Sequence, residues 1–347
     1  MRAAGADILA DPFAEESAGG PIRRLPLLGA DFHFASQTAA LAELVTAAYG
    51  GLPMQHLTHT PPRIRVKLAL LPDGAPRRVA RPAAAALISG AGFLCAAHGA
   101  SAFAIVSPLQ RSGLVSLSKA MLRHPYHARY EYLEFAVFML AARVQGLVPL
   151  HAACVGRNGE GVLLMGPSGA GKSTAALHCL LRGLEFVAED AVFACPRRLL
   201  ATGVANYLHV CRSALPWLRH TRIHTQVRTS PVISRRSGVR KFEVDLRRGP
   251  FQLAAAPLKV RALLFLSAES AGRHALLRRV PARQLRAALT LNQPYAAGRP
   301  EWPAFLRQAG CLPAFTLRRG RHPDEAVDAI ERVLQAGGRA GAAPGPL

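Results

Sequence analysis

Residues Gly166, Pro167, Ser168, Gly169, Ala170, Gly171, Lys172, Ser173 and Thr174 carry the most specific chemical signal in the chain. They match G-x-x-x-x-G-K-[ST], the spacing of a Walker A loop that closes around phosphate. Each residue type has a task. Glycines permit positive φ and remove side chains, so backbone N–H groups can converge on phosphate oxygens. The following helix N-terminus adds partial positive charge. Lys172 supplies a fixed cation for the β- and γ-phosphates, and the Ser173 hydroxyl is a ligand for the Mg²⁺ that bridges them. The apolar run Gly161–Met165 leads into the loop, and a stretch rich in Ala, Leu and His leads out. That strand–loop–helix context separates this match from a chance glycine-rich turn.

Phosphoryl transfer also calls for carboxylates. Between residues 160 and 270 the acids are Glu160, Glu185, Glu189, Asp190, Glu243, Asp245 and Glu269. Glu189 and Asp190 follow Ser173 by 16 and 17 residues, at the end of the short apolar run Phe186–Ala188. One helix, a turn at Gly183 and one adjacent strand fill that interval. The pair is therefore expected back at the mouth of the loop, where one acid ligates Mg²⁺ and the other accepts a proton from an attacking hydroxyl. An ABC-type ATPase is excluded by the missing LSGGQ signature and by Leu263–Leu266 running into Ser-Ala-Glu269 rather than Asp-Glu. A guanylate kinase would place such a loop near its start. Lys241, on an expected strand after Gly238, is a weaker candidate for a cation at the γ-phosphate. The pairs Arg235-Arg236 and Arg318-Arg319 read as solvated faces, with docking of an acidic peptide as the alternative, and His178 and His209 read as packing residues.

Several elements must position these groups. Strands are expected at Ile64–Leu70, Ala102–Val106, Gly113–Ser118, Leu150–Val155, Gly161–Met165, Phe186–Ala188, Val260–Leu266 and Ala314–Leu317. Helices are expected at Phe32–Gly50, Tyr130–Val144, Gly171–Arg182, Ala282–Leu291 and Pro323–Gln335, the last opened by Pro323, Asp324 and Glu325. Pro72-Asp-Gly reads as a turn, and Ala83–Val106 as packed small-residue core. The expected organisation is an N-terminal arm with a small α/β accessory region over 1–110, a phosphate-loop domain over 111–335, and a disordered tail over 336–347. The first 25 residues read as a loose arm, and Met1–Gly20 lacks the apolar core of a signal peptide.

The chain has 347 residues, a net charge of +22 and six singly spaced cysteines. Half of the residues are apolar, which excludes a wholly disordered chain. No repeat period suggests a solenoid. Without a CxxC pair, neither a zinc ribbon nor a disulfide scaffold is supported, and isolated thiols suit the cytoplasm. Only five of the cations are lysines. An Ala-, Gly-, Pro- and Arg-rich composition of this kind follows from GC-rich coding, and an acidic or phosphorylated partner is the functional alternative. Nucleic acid is disfavoured, because the arginines are scattered and no basic helix carries interleaved aromatics. No membrane association is expected.

Leu150-His151-Ala-Ala-Cys-Val155, the phosphate loop, and Arg182–Asp190 together resemble the HPr kinase/phosphorylase family, and still more its relatives encoded beside peptide-modification genes. The resemblance is strong over residues 148–193. It implies a phosphoenolpyruvate-carboxykinase-like α/β kinase fold, ATP as donor, Mg²⁺ as cofactor and a serine hydroxyl as the usual acceptor. It also implies contact between His151, on the strand before the loop, and the transferring phosphate; a packed strand histidine is the other reading. Two departures stand out. Glu189-Asp190 replaces the family's Asp-Asp, and Gly203–Leu215 stands where a Glu-Ile-Arg-Gly signature is found in the bifunctional enzymes. The expected function is ATP–Mg²⁺ phosphotransfer to a hydroxyl, with a serine of a protein or peptide as acceptor. Lys172 and Ser173 would hold phosphates and metal, Asp190 would share the metal, and Glu189 would act as base. A nucleotide-binding regulatory partner without transfer activity, a small-molecule kinase and a homo-oligomer remain open on sequence alone.

Overall fold

The computed structural model describes residues 20–71, 84–99 and 101–340. The chain divides into two compact α/β units. One takes in residues 31–48 and 63–140, and the other comprises 26–30, 49–62 and 141 onward.

The first unit is built on a seven-stranded sheet. Its strands are β1 Ile22–Leu27, β2 Ala30–Ser36, β3 Arg63–Leu70, β4 Ala86–Gly90, β5 Phe93–His98, β6 Ala102–Ser107 and β7 Ser112–Leu117, in the order β1-β2-β3-β7-β6-β5-β4. β2, β3 and β7 run parallel, and β4 to β7 form antiparallel neighbours. Helix α1, Ala39–Tyr49, supplies the crossover between β2 and β3. Side chains alternate along β2 and β3, so Phe32, Phe34, Ile64, Val66 and Leu68 are buried while their neighbours are less so.

This unit departs from the sequence reading in several places. Phe32–Ser36 is strand rather than helix, because the alternation Phe32-His-Phe34 lays both rings into the core. The expected loose arm contains β1 from Ile22 onward; residues 1–19 lie outside the described part, as does the turn at Pro72. The stretch Ala83–Val106 is not packed core throughout. It forms hairpin strands whose edge, β4, is exposed along its length, with Leu87 and Ile88 in solvent. The unit runs on to Leu140, and β7 completes its sheet between β3 and β6. Helix α2, Glu134–Gln145, follows a wider helical turn at Ala128–Leu133, so the expected helix at Tyr130–Val144 is present with a changed pitch at its start.

The second unit carries the phosphate loop. Its strands are β8 Val148–Leu150, β9 Ala153–Arg157, β10 Glu160–Met165, β11 Glu185–Ala188, β12 Val192–Ala194, β13 Leu200–Gly203, β14 Tyr207–Cys211, β15 Val232–Ser234, β16 Arg240–Asp245, β17 Leu258–Ser270, β18 Leu277–Arg279 and β19 Ala314–Arg319. The main sheet runs β11-β9-β10-β17-β13-β12-β8, with β19 beside β17 and β18 beside β19. β10, β17 and β19 are parallel, whereas β9 and β11 form an antiparallel wing. A separate three-stranded sheet has the order β14-β16-β15. The longer helices are α3 Lys172–Leu181, α4 Ala282–Asn292, α5 Trp302–Ala309 and α6 Pro323–Ala340.

Period-two alternation gives the main sheet two buried faces. Val162 and Leu164 of β10 join Ala176, Leu180, Ile330 and Val333 under α3 and α6. Leu163 and Met165 join Leu285, Leu289, Trp302 and Phe305 under α4 and α5. A parallel strand buried on both faces reads as a continuous apolar run, which is why Gly161–Met165 was legible. Two details differ from expectation. Leu150–Val155 is broken into β8 and β9, with His151 and Ala152 in the break. The final helix continues to Ala340 instead of fraying at Ala336, and residues 341–347 lie outside the described part. Among the described residues no helix is long and apolar enough to cross a membrane.

Candidate functional site

The phosphate loop joins the end of β10 to the start of α3. Gly166 has φ +146°, and a Cβ there would lie 2.6 Å from the carbonyl oxygen of Leu266 on β17, so the loop passes too close to the neighbouring strand for any side chain. Gly171 caps α3 with φ +101° and no side-chain hydrogen bond. The first N–H groups of α3 are thus left for a ligand rather than for a serine or aspartate cap. Lys172, largely buried, donates from Nζ to the carbonyls of Gly166 at 2.7 Å and Pro167 at 3.2 Å. Burial lowers the pKa of its ammonium, while Asp190 and Glu189 act in the opposite sense.

Glu189 and Asp190 follow β11 directly and lie in different surroundings. Buried Glu189 accepts a short hydrogen bond from the Ser173 hydroxyl through Oε1, and its Oε2 accepts from the His209 backbone N–H at 2.8 Å. Asp190 makes no such contact with Ser173. Its Oδ2 accepts from Arg235 Nη2 at 2.6 Å. The acid hydrogen-bonded to the Ser173 hydroxyl is therefore Glu189, while Asp190 is paired with Arg235, and ligand atoms of the two acids lie within 4.8 Å of each other. Adjacent residues leaving a strand end point apart, and the added methylene of glutamate lets the inward one reach Ser173. Burial works against the Asp190 carboxylate, but Arg235, with His151 and Lys241 behind it, outweighs that burial and holds the pKa below the ordinary value.

The three-stranded sheet and the residue after β15 bring His209, Glu243 and Arg235 to the site, whereas the sequence reading places none of them there. Pairing of β14 with β16 sets His209 opposite Glu243. His209 Nε2 lies 3.5 Å from Glu243 Oε1, and Nδ1 lies 3.4 Å from Glu189 Oε2. Burial alone would lower the pKa of this imidazole, yet the two carboxylates raise it to about 9. His209 thus stands between two carboxylates at the site and is more than a packing residue. Arg235 Nη2 also lies 3.1 Å from His209 Nδ1, so Arg235 is not part of a solvated face. The signal for these residues was long-range strand pairing, which leaves no local motif.

His151 is exposed in the break between β8 and β9 and not on a strand. Gln293, itself buried, clamps its backbone from both directions: His151 N–H donates to Oε1 at 2.7 Å, and His151 O accepts from Nε2 at 3.1 Å. The ring Nδ1 lies 3.3 Å from the carbonyl oxygen of Asp190. A carbonyl can only accept, so Nδ1 carries the proton in that contact and Nε2 is bare in the neutral ring.

The phosphate loop, His151, Asp190, His209 and Arg235 border one cavity of about 560 Å³, and Glu189 and Glu243 are not among its lining residues. Its cationic lining comprises Lys172, Arg235, Lys241, Arg318, Arg319 and Arg321, and Asp190 is its one lining acid. Arg319 Nη2 donates to the Gly169 carbonyl at 3.3 Å, and Lys241 faces Asp190 electrostatically. The site therefore attracts an anion of several charges. The donors also fit a hard divalent cation: a hydroxyl and a carboxylate meet at Ser173 and Glu189, and ligand atoms of Glu189, Asp190 and His209 lie within 4.8 Å of one another.

No protein-family model matches the chain, and no curated protein matches it. Among solved structures, the HPr(Ser) kinase/phosphatase from Coxiella burnetii is similar at 15% identity and a TM-score of 0.27, over 55% of this chain and 90% of its own. A likeness this slight carries no argument about activity, and the reading below stands on the site.

Proposed function

We propose that this protein is an ATP–Mg²⁺ phosphotransferase of the phosphoenolpyruvate-carboxykinase-like type, acting in the cytoplasm on a serine hydroxyl of a protein or peptide. The observation that carries the reading is the pairing of Ser173 with buried Glu189 at a complete phosphate loop that lines a cationic cavity. The backbone N–H groups of residues 168–174 hold the α- and β-phosphates, and Lys172 moves from the loop carbonyls to the β- and γ-phosphates when these are present. Ser173 and Glu189 would hold Mg²⁺, which supplies charge neutralisation between the β- and γ-oxygens. Asp190, ionised and released from Arg235, orients the acceptor hydroxyl and takes its proton. Arg235 and Lys241 then face the charge that develops on the transferring group. His151 offers its Nε2 to that same group. His209 and Glu243 fix the orientation of Glu189.

Incubation of the chain with Mg²⁺, γ-labelled ATP and peptides encoded by neighbouring genes tests this reading. Label is expected on a serine of one peptide, and label is expected to be lost with Lys172→Ala. Nucleotide binding without label on any acceptor would favour a regulatory nucleotide-binding protein, and label on a non-peptide hydroxyl compound would make the acceptor a small molecule.

A further inference from the structure

The cavity has two chemically different ends. Asp190, Arg235, Lys241 and His151 mark one of them. The other is walled by Leu177 of α3, Ala214, Trp217, Leu317 of β19, and Pro323 and Ala326 of α6. Leu177 lies three residues past Thr174, on the same helix face and one turn further along α3. A triphosphate whose γ-group meets Ser173 and Glu189 therefore directs its remaining portion toward the apolar end. A volume of about 560 Å³ is ample for a nucleotide.

Trp217 stands out at that end. It sits on a short helical turn, Leu215–Leu218, and is 42% exposed. Its ring meets His322 edge to face at 4.9 Å, and His322 meets His178 likewise at 5.8 Å. His178 is 2% exposed, and its Nε2 is buried without a hydrogen-bond partner among the described residues. The Nδ1 of His322 accepts from the Asp324 N–H at 3.2 Å, so the neutral ring keeps an N–H at Nε2. A large indole and an imidazole are thus in edge-to-face contact at the cavity wall.

We infer that Trp217 and His322 form the nucleobase subsite of the donor nucleotide, in which the base is held by ring stacking and apolar contact. This inference rests on the phosphate-loop reading above. Every base has a π-face, whereas hydrogen-bond readout requires several fixed donors and acceptors. Ser213 and His322 share this lining with Arg318, Arg319 and Arg321, on the segment between Leu317 and Pro323, and stacking itself favours neither adenine nor guanine.

Calorimetry with Mg-ATP, Mg-GTP and Mg-tripolyphosphate on the full chain and on Trp217→Ala and Trp217→Phe tests the subsite. Trp217→Ala is expected to weaken both nucleotides by roughly 5- to 100-fold, the usual range for a stacked base. It should leave tripolyphosphate binding unchanged, which also shows that the variant is folded. Trp217→Phe keeps a stacking face and should retain most of the affinity, and GTP should bind within about tenfold of ATP. Nucleotides should change the tryptophan emission of the wild type, tripolyphosphate should not, and Trp217→Phe should abolish the change. Equal nucleotide affinity in wild type and Trp217→Ala overturns the subsite and leaves the phosphate loop standing. A wild type that binds neither nucleotide nor tripolyphosphate overturns both readings.

Discussion

Glu189 and Asp190 are neighbours in sequence with different surroundings, so their neutral variants should fail differently. Glu189→Gln removes negative charge beside Ser173. It is expected to weaken the Mg²⁺ dependence of transfer, with excess Mg²⁺ restoring part of the rate. Asp190→Asn removes the carboxylate that Arg235 holds ionised. Nucleotide affinity should survive, and transfer should fall by roughly 10²–10⁴-fold, toward the low end because a loose transition state asks little of a base. Transfer rate measured against Mg²⁺ concentration separates the two. Rescue of Asp190→Asn by Mg²⁺, with none for Glu189→Gln, would restore the opposite assignment. The sequence placed both acids at the loop because a helix, a turn and a short strand have predictable lengths. It could not say which carboxylate turns inward, since that depends on the side-chain reach past the end of β11 and on the His209 N–H that anchors Glu189.

At the scale of elements, α3 and α6 are tied by His178 Nδ1 and Asp324 Oδ1 at 2.9 Å. Burial of His178 lowers its pKa from the ordinary 6.5. The unfolded chain therefore takes up a proton before the folded one does, and the contribution of the neutral ring is complete above about pH 6.5 and lost as pH falls below it. Asp324, also lowered, enters only below its ordinary 3.8. Thermal unfolding midpoints should accordingly drop from pH 7 to pH 5, and drop less in His178→Gln. Identical slopes in the two proteins would remove His178 from the account. The strand–loop–helix around Lys172 was legible because it is local: an apolar run buried on both faces, a glycine-rich loop, then helical spacing. The sheet β14-β16-β15 was not, because its pairs, such as His209 with Glu243, lie some thirty residues apart. His151 was misplaced for a related reason: an apolar run cannot show that Gln293, from a distant segment, pins the break between β8 and β9.

For the whole molecule, the division into units is interleaved along the chain, which no composition change announces. Residues 49–62 belong with the phosphate-loop unit. Buried Gln55 donates from Nε2 to the Ala254 carbonyl at 3.0 Å and accepts from the Thr202 hydroxyl, itself fully buried. Gln55→Ala would strand both partners and is expected to cost about 1–3 kcal/mol in chemical denaturation. A cost near zero would show that this segment is not integral to the unit. A chain that starts near residue 110 would keep β7 without β3 and β6. The central claim is that residues 166–174, with Glu189, form a Mg-nucleotide site in this unit. Its most direct test is calorimetric titration of Mg-ATP into the full chain and into Lys172→Ala. The account predicts one nucleotide per chain, with binding lost in the variant because the β- and γ-phosphates lose their fixed cation. Absence of binding by the full chain, or unchanged affinity in Lys172→Ala, would contradict it.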